Sequence, residues 1–233
     1  MKRTLIVLLL ITFKTFAQKN ISIEFHDNVY YDVFIGDVNL TNFKPWERVL
    51  DLKVSPDKRY FFFRHKEDKG KAYKLTLYDF QTQKKIVEII PGFGGSFEWT
   101  MNNKIIHRWG CGTNCANFRM YDLSLNEIFF TLSSGGFSES PKKDILVQFG
   151  MRGKDFWIFD LRSIQEDQSV KIFHKKFDET DEMNIWSLKF DSNYSFSIET
   201  HDDASKKEVL KFNINELSFK YGKSADIGEY YSR

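Results

Sequence analysis

Residues 55–85 read SPDKRYFFFRHKEDKGKAYKLTLYDFQTQKK. Ser55-Pro56-Asp57-Lys58 opens the stretch with turn-forming residue types. Tyr60-Phe61-Phe62-Phe63 follows, in the aromatic composition that suits strands. After a polar break, Lys74-Leu75-Thr76-Leu77-Tyr78 alternates with period two, which places one set of side chains on each face of a sheet. The stretch then closes on Tyr78-Asp79-Phe80. The same closing triplet of aromatic, acid or amide, and apolar residue recurs at Tyr121-Asp122-Leu123, Phe159-Asp160-Leu161 and Phe212-Asn213-Ile214, at intervals of 43, 38 and 53 residues. Each closer has its own upstream opener: Thr100-Met101-Asn102-Asn103, Ser140-Pro141-Lys142-Lys143 and Asp191-Ser192-Asn193. A strand-like run follows each opener. A repeat of about 40 to 45 residues with several strands per unit is the signature of propeller blades. One blade cannot bury both of its faces, but stacked neighbours can.

The opening stretch resembles one blade of a TolB-like or WD-repeat-like propeller. Such blades often read S-P-D-G-(K/R), then a strand, then (L/I)-(Y/W)-D-(L/V)-x-T-G-(K/E). Lys58 and Gln83 stand where that pattern prefers glycine. The resemblance extends over residues 50–215 and is weaker in the other three repeats. It implies an all-β, propeller-like array of about four to five antiparallel blades, complete or incomplete. It implies little about activity, because such a fold hosts many functions. Strand-like pieces in 21–50 and Leu217-Ser218-Phe219-Lys220-Tyr221 are expected to join the chain ends in a fifth blade. The competing reading is an irregular all-β sandwich of hairpins that never closes into a ring.

The chain begins MKRTLIVLLLITFKTFAQKN. Lys2 and Arg3, the apolar run Leu5 to Phe13, and Thr15-Phe16-Ala17 have the layout of a signal peptide cleaved before Gln18. The competing reading is a buried N-terminal element. The apolar run is shorter than the roughly 20 residues needed to span a bilayer, and no later stretch approaches that length. No cysteine follows the cleavage point, so no lipid anchor is expected. Residues 1–17 are therefore read as a leader and 18–233 as a single exported domain, periplasmic or secreted. The leader carries Lys2, Arg3 and Lys14 and no acid, so 31 basic face 32 acidic side chains in the remainder. A nearly neutral chain argues against nucleic acid as partner, since that task needs a basic patch.

Cys111 and Cys115 are the only two cysteines. An oxidising compartment favours a disulfide between them. Fully extended, their Cα atoms would lie about 13 Å apart, beyond the bridgeable limit of about 7 Å. Gly112 and Asn114 are residue types that accept the required turn. Other readings stay open. His107, Cys111 and Cys115 would share one face of a helix and could ligate zinc, although Gly110 and Gly112 disfavour that helix. A redox pair lacks the usual CxxC spacing, and two free thiols remain the bland option. Ile106-His107-Arg108-Trp109-Gly110-Cys111-Gly112-Thr113-Asn114-Cys115 also resembles a W-G-C-G-(T/S)-x-C segment of small secreted bacterial proteins with no assigned activity. That resemblance implies a disulfide-stapled hairpin and no reaction.

Other motifs carry less. Gly92-Phe93-Gly94-Gly95 precedes a strand-like Ser96-Phe97-Glu98-Trp99, so it reads as an inter-blade loop and not as a phosphate cradle. Gly136-Phe137-Ser138-Glu139-Ser140 lacks the last glycine of a nucleophile elbow. His201-Asp202-Asp203 reads as a solvated turn more readily than as a cation site. No cofactor and no metal are expected. Phe43, Trp46, Phe93 and Trp109 are candidate aromatics for a binding face, each also a candidate for inter-blade packing. The functional expectation is a non-catalytic binding module with a protein or glycan partner. The alternatives are a hydrolase of envelope or extracellular material with carboxylates converging at the propeller axis, and a structural envelope component.

Overall fold

The computed structural model describes residues 21–26, 30–41, 48–66, 72–91, 94–112, 115–133, 136–150, 155–177, 184–201 and 207–223. The leader therefore lies outside the described residues. Five antiparallel sheets follow one another along the chain. The first holds β1 (Ile21–His26), β2 (Tyr30–Ile35) and β3 (Val38–Asn39). The second holds β4 (Arg48–Val54), β5 (Tyr60–Lys66), β6 (Tyr73–Asp79) and β7 (Lys84–Ile89). The third holds β8 (Ser96–Trp99), β9 (Ile105–Gly112), β10 (Cys115–Tyr121) and β11 (Glu127–Ser133). The fourth begins β12 (Phe137–Glu139), β13 (Ile145–Phe149), β14 (Asp155–Asp160), β15 (Ser169–Lys176). The fifth holds β16 (Asn184–Phe190), β17 (Ser195–His201) and β18 (Lys207–Asn213).

The repeat has a local physical cause. Each opener is the turn between the first two strands of a sheet, and in the second to fourth sheets it starts on a buried hydroxyl residue. Ser55 Oγ accepts from Tyr60 N–H at 2.9 Å, Thr100 Oγ1 from Lys104 N–H at 3.0 Å, and Ser140 Oγ from Ile145 N–H at 3.1 Å. Each closer supplies a side-chain acceptor for the next turn. Asp79 accepts from Gln81 N–H, Asp122 from Ser124 N–H, Asp160 from Arg162 N–H and Asn213 from Asn215 N–H. These are Asx turns that stop the third strand.

The positions where the blade pattern prefers glycine are left-handed here. Lys58, Asn103 and Lys143 have φ of 58°, 55° and 57°, and Gln83, Leu125 and Gln168 have 57°, 57° and 65°. A side chain in that region costs about 1–2 kcal/mol, partly offset by the greater freedom glycine has when unfolded. Lys58→Gly and Gln83→Gly are each expected to stabilise the fold by roughly 0.5–1 kcal/mol, read as a rise of about 1–4 °C in Tm. The same change at the exposed Arg59, whose φ is not positive, should lower it.

Apolar clusters join consecutive sheets. Val33 and Ile35 meet Phe61, Phe63 and Tyr78 between the first and second. Phe62, Leu75 and Leu77 meet Phe97, Trp99 and Ile105 between the second and third. Ile106, Phe118 and Phe129 meet Leu146, Trp157 and Phe159 between the third and fourth. Ile145, Phe156 and Ile158 meet Phe196, Ile198 and Ile214 between the fourth and fifth. The alternation of each strand makes this possible, because odd and even residues face different neighbours. Among the described residues no such cluster joins the fifth sheet to the first.

The chain ends do not pair as expected. After β18 the chain turns at Ile214–Glu216 and β19 (Lys220–Lys223) lies antiparallel to β15, with Lys171 opposite Tyr221. The residues of 21–39 form the first sheet by themselves. Phe219 explains the detour, since it packs against Phe173 at a ring separation of 6.2 Å and covers the seam between fourth and fifth sheets.

Candidate functional site

The first strands form the inner edge of the array: β4 lies against β8 and β12 against β16. The gap between β8 and β12 is filled by charge. Antiparallel register puts Ser96 opposite Arg108 and Glu98 opposite Ile106, so Glu98 and Arg108 share the face toward the fourth sheet. Arg108 reaches across with Nε and Nη2 to both carboxylate oxygens of Glu139, a bidentate pair, and its Nη2 also donates to Glu98 at 3.3 Å. Glu98 in addition pairs with Lys143 from the next opener turn and lies 4.0 Å from Lys53 on β4. Arg64 pairs with Asp51 at 2.8 Å. Glu98 and Glu139, the carboxylates gathered at this edge, are thus both engaged by Arg108. Bidentate guanidinium pairing fixes geometry as well as charge. This cluster ties three sheets together.

On the opposite face of the third sheet the odd residues stack. The His107 ring lies between Phe97, at 4.0 Å and nearly parallel, and Trp109, at 4.5 Å. The stack continues to Phe130 at 6.4 Å, with the Arg119 guanidinium over both Trp109 and Phe130. At the other end Arg64 lies over Tyr73 and Phe97. His107 is fully buried, its Nε2 is 3.0 Å from Gly94 O, and its Nδ1 has no partner. Burial pushes its pKa down to about 4, and the nearby Arg119 and Arg64 charges act in the same direction. Gly95 must be glycine: its φ is +125°, and a Cβ there would stand 2.1 Å from Arg108 O. This close approach is what lets the 94–95 segment lie over β9 and bring Gly94 O to His107.

Trp109 therefore sits inside the inter-sheet stack, 9% exposed. Trp46, Phe43 and Phe93 lie outside the described residues, as do Asp202 and Asp203. Cys111 and Cys115 belong to the β9–β10 hairpin, where Cys115 pairs with Gly112 and the register shifts before Ala116–Gly110. Their side chains lie outside the described residues. The helical face on which His107 would join them as a zinc ligand does not form, because the segment is a hairpin. Among the described residues no group of three His, Cys, Asp or Glu side chains could hold a metal ion.

The opener turns are linked to one another. Asn103 Nδ2 donates to Asp57 at 2.7 Å, Met101 N–H to Lys142 O at 3.4 Å, Lys142 N–H to Asn193 Oδ1 at 3.0 Å, and Asn193 Nδ2 to Asp144 at 3.0 Å. This chain of hydrogen bonds runs from the second sheet to the fifth. On the same face a cleft of about 330 Å³ opens between the third and fourth sheets, with Lys104, Asn102 and Glu166 among its lining residues. Sequence reasoning found the turns and missed both the charge cluster and the cleft. The alternation of Ser96-Phe97-Glu98-Trp99 signals that Glu98 leaves the apolar face, but which sheet Arg108 reaches is a tertiary fact.

No family model and no curated protein sequence matches the chain. Solved structures do resemble it. TolB from Acinetobacter baumannii shares 12% identity over 82% of this chain and 47% of its own, with a TM-score of 0.35. A mitotic checkpoint complex chain shares 15% over 83% and 58%, with 0.40. The β-propeller domain of the Trilobed protease from Pyrococcus furiosus, described as having an open velcro topology, shares 12% over 85% and 79%, with 0.37. The chain spans about half the length of the TolB structure. The likeness concerns fold alone. By its own sheets, this chain is an all-β, propeller-like array of antiparallel units, and it is similar in that respect to proteins of propeller architecture.

Proposed function

We propose that the protein is an exported, propeller-like binding module, periplasmic or secreted, that engages a protein or glycan partner and carries out no catalysis. The leader pattern of residues 1–17 supports export. The observation that carries the rest is the inner-edge cluster, in which Arg108 holds Glu98 and Glu139 together. A glycosidase needs one carboxyl free to donate a proton and another free to attack or activate water. Here both accept hydrogen bonds from one guanidinium.

The test is a turnover assay of the purified protein on nitrophenyl glycosides and esters, with Glu98→Gln and Glu139→Gln alongside. The expected result is no turnover, and for Glu139→Gln a stability loss of about 1.5–3 kcal/mol from the broken charged hydrogen bonds. Turnover by the parent that vanishes in either variant, at unchanged Tm, would establish the hydrolase instead.

Export brings Cys111 and Cys115 to an oxidant, and the disulfide belongs to the same proposal. Protein taken from its native compartment should resist alkylation at both thiols and gain two mass units on reduction. Its N-terminus should be Gln18. Free thiols or stoichiometric zinc would refute the disulfide, and a retained Met1 in the cytoplasm would refute export and disulfide together.

A further inference from the structure

The cleft between the third and fourth sheets is shaped and charged for one kind of visitor. Its floor is aliphatic: Met120, Ile128, Leu161 and Ile164 line it, and no aromatic ring does. A sugar would find no ring to stack on. A volume of about 330 Å³ is at the low end of ligand pockets, roughly 300–1,000 Å³. It accommodates a slim alkyl chain.

The charged side chains of the lining are Asp122, Asp144 and Glu166 against Lys104, Lys143 and Arg162. Two of these cations are engaged by carboxylates outside the cleft. Lys143 pairs with Glu98. Arg162 is held by both oxygens of Asp160 and also lies in the field of Asp144. One guanidinium between two carboxylates leaves one negative charge over. Asp122 accepts only from uncharged donors, the amides of Ser124 and Asn126 at Oδ1 and the Asn126 side chain at Oδ2. Glu166 and Lys104 enter no ion pair among the described residues. Three negative charges therefore face the single positive charge of Lys104, which favours a cationic visitor.

The acceptors left over suit an ammonium better than a guanidinium. A carboxylate has about four acceptor sites. Asp122 spends three of them on its own turn. Buried Asp144 spends three on Ser140 Oγ and the Asn193 side-chain amide. In both, the remaining site is on Oδ2. A guanidinium fork wants both oxygens of one carboxylate. An ammonium is a compact charge whose three donors can go to separate acceptors.

We infer, building on the binding-module reading, that this cleft docks a lysine side chain of a partner protein, its alkyl stem on the aliphatic floor and its ammonium among Asp122, Asp144 and Glu166. Lys104, the uncommitted cation of the lining, opposes that visitor. Its removal should therefore strengthen the site.

The probe is the peptide acetyl-Ala-Ala-Lys-Ala-Ala-amide, titrated into the isotopically labelled full chain and followed by amide chemical shifts. One control replaces its Lys by norleucine, which keeps the stem and removes the charge, and another replaces it by Arg. Free n-pentylammonium chloride is titrated in parallel. Saturable shifts are expected around Asn102, Asp122, Leu161 and Glu166. Both control peptides and the free amine should bind at least about threefold more weakly than the Lys peptide. Glu166→Gln should weaken the Lys peptide and Lys104→Gln should tighten it, each by about twofold to fivefold, and added salt should weaken it. An unchanged spectrum of each free variant shows that it folds. No saturable shift, equal binding of the norleucine or Arg peptide, or weaker binding by Lys104→Gln would overturn the lysine site. The free amine binding as tightly as the peptide would overturn the protein partner in favour of a small amine. None of these results involves turnover, so the binding-module reading stands or falls separately, by its own assay.

Discussion

Acidification from pH 6.5 to about 4 should cost the fold roughly 3 kcal/mol through His107 alone. The sign follows from which state binds the proton. The unfolded imidazole protonates near its ordinary value of 6.5, while the buried ring resists protonation until about 4. Between those values the unfolded chain holds more protons, so stability is complete above the unfolded value and falls as the pH drops through the window. Burial acts against the charge first and the Arg119 and Arg64 cations act with it, while Gly94 O favours the charged ring. His107→Phe keeps a planar ring in the stack and removes the titration. Urea unfolding at several pH values should give a steep slope for the parent between 4 and 6.5 and a nearly flat one for His107→Phe. Equal slopes would mean that the imidazole is hydrated or that the 94–95 segment does not cover it. Asp57 does not confuse this window. Burial raises its pKa, but hydrogen bonds from Ser55, Arg59 N–H and Asn103 outweigh that and hold it below its usual range. Its contribution is lost only at lower pH, and the difference between parent and variant cancels it.

Phe156→Ala should destabilise by about 3–5 kcal/mol, near the upper end for a core aromatic. The side chain is fully buried and its ring meets four others: Phe173, Phe177, Phe196 and Phe212. Here the fifth sheet is held to the array at this seam, by β12 against β16 and by the Phe219 strap. The variant should therefore lose protection from hydrogen exchange in β16–β18 and β19 ahead of the second and third sheets. Phe156→Leu should cost a third as much or less. Uniform loss of protection across all sheets would contradict this seam as the anchor of the fifth sheet.

Much of this fold is written locally. Ser55-Pro56-Asp57-Lys58 and Tyr78-Asp79-Phe80 specify turns through hydrogen bonds within a few residues, so a reader of the sequence can place them. The departures Lys58 and Gln83 were visible too, and their left-handed backbone shows that the turn geometry persists without glycine. What was not legible depends on partners distant in sequence. Nothing near Tyr221 indicates that its strand adds to β15 instead of meeting the N-terminal strands, because edge pairing reads mainly backbone. Trp109 as a candidate surface aromatic and Trp109 as a stacking partner of His107 are the same two-residue alternation viewed from different neighbours. Arg108 joins Glu98, ten residues away on a paired strand, to Glu139 on another sheet, and only the stacking of sheets brings the second carboxylate into reach.

The central claim is a stack of five sheets whose C-terminal strand returns to the fourth. Cross-linking tests it most directly. Lys171 and Tyr221 face each other across β15 and β19, and the Lys171 ammonium lies over the Tyr221 ring at 5.8 Å. In a background with Cys111→Ser and Cys115→Ser, the pair Lys171→Cys and Tyr221→Cys should form a disulfide in near-quantitative yield with the fold retained. The pair Ile23→Cys and Tyr221→Cys should remain reduced. A disulfide in the second pair and none in the first would mean that the chain ends meet, closing the array into a ring.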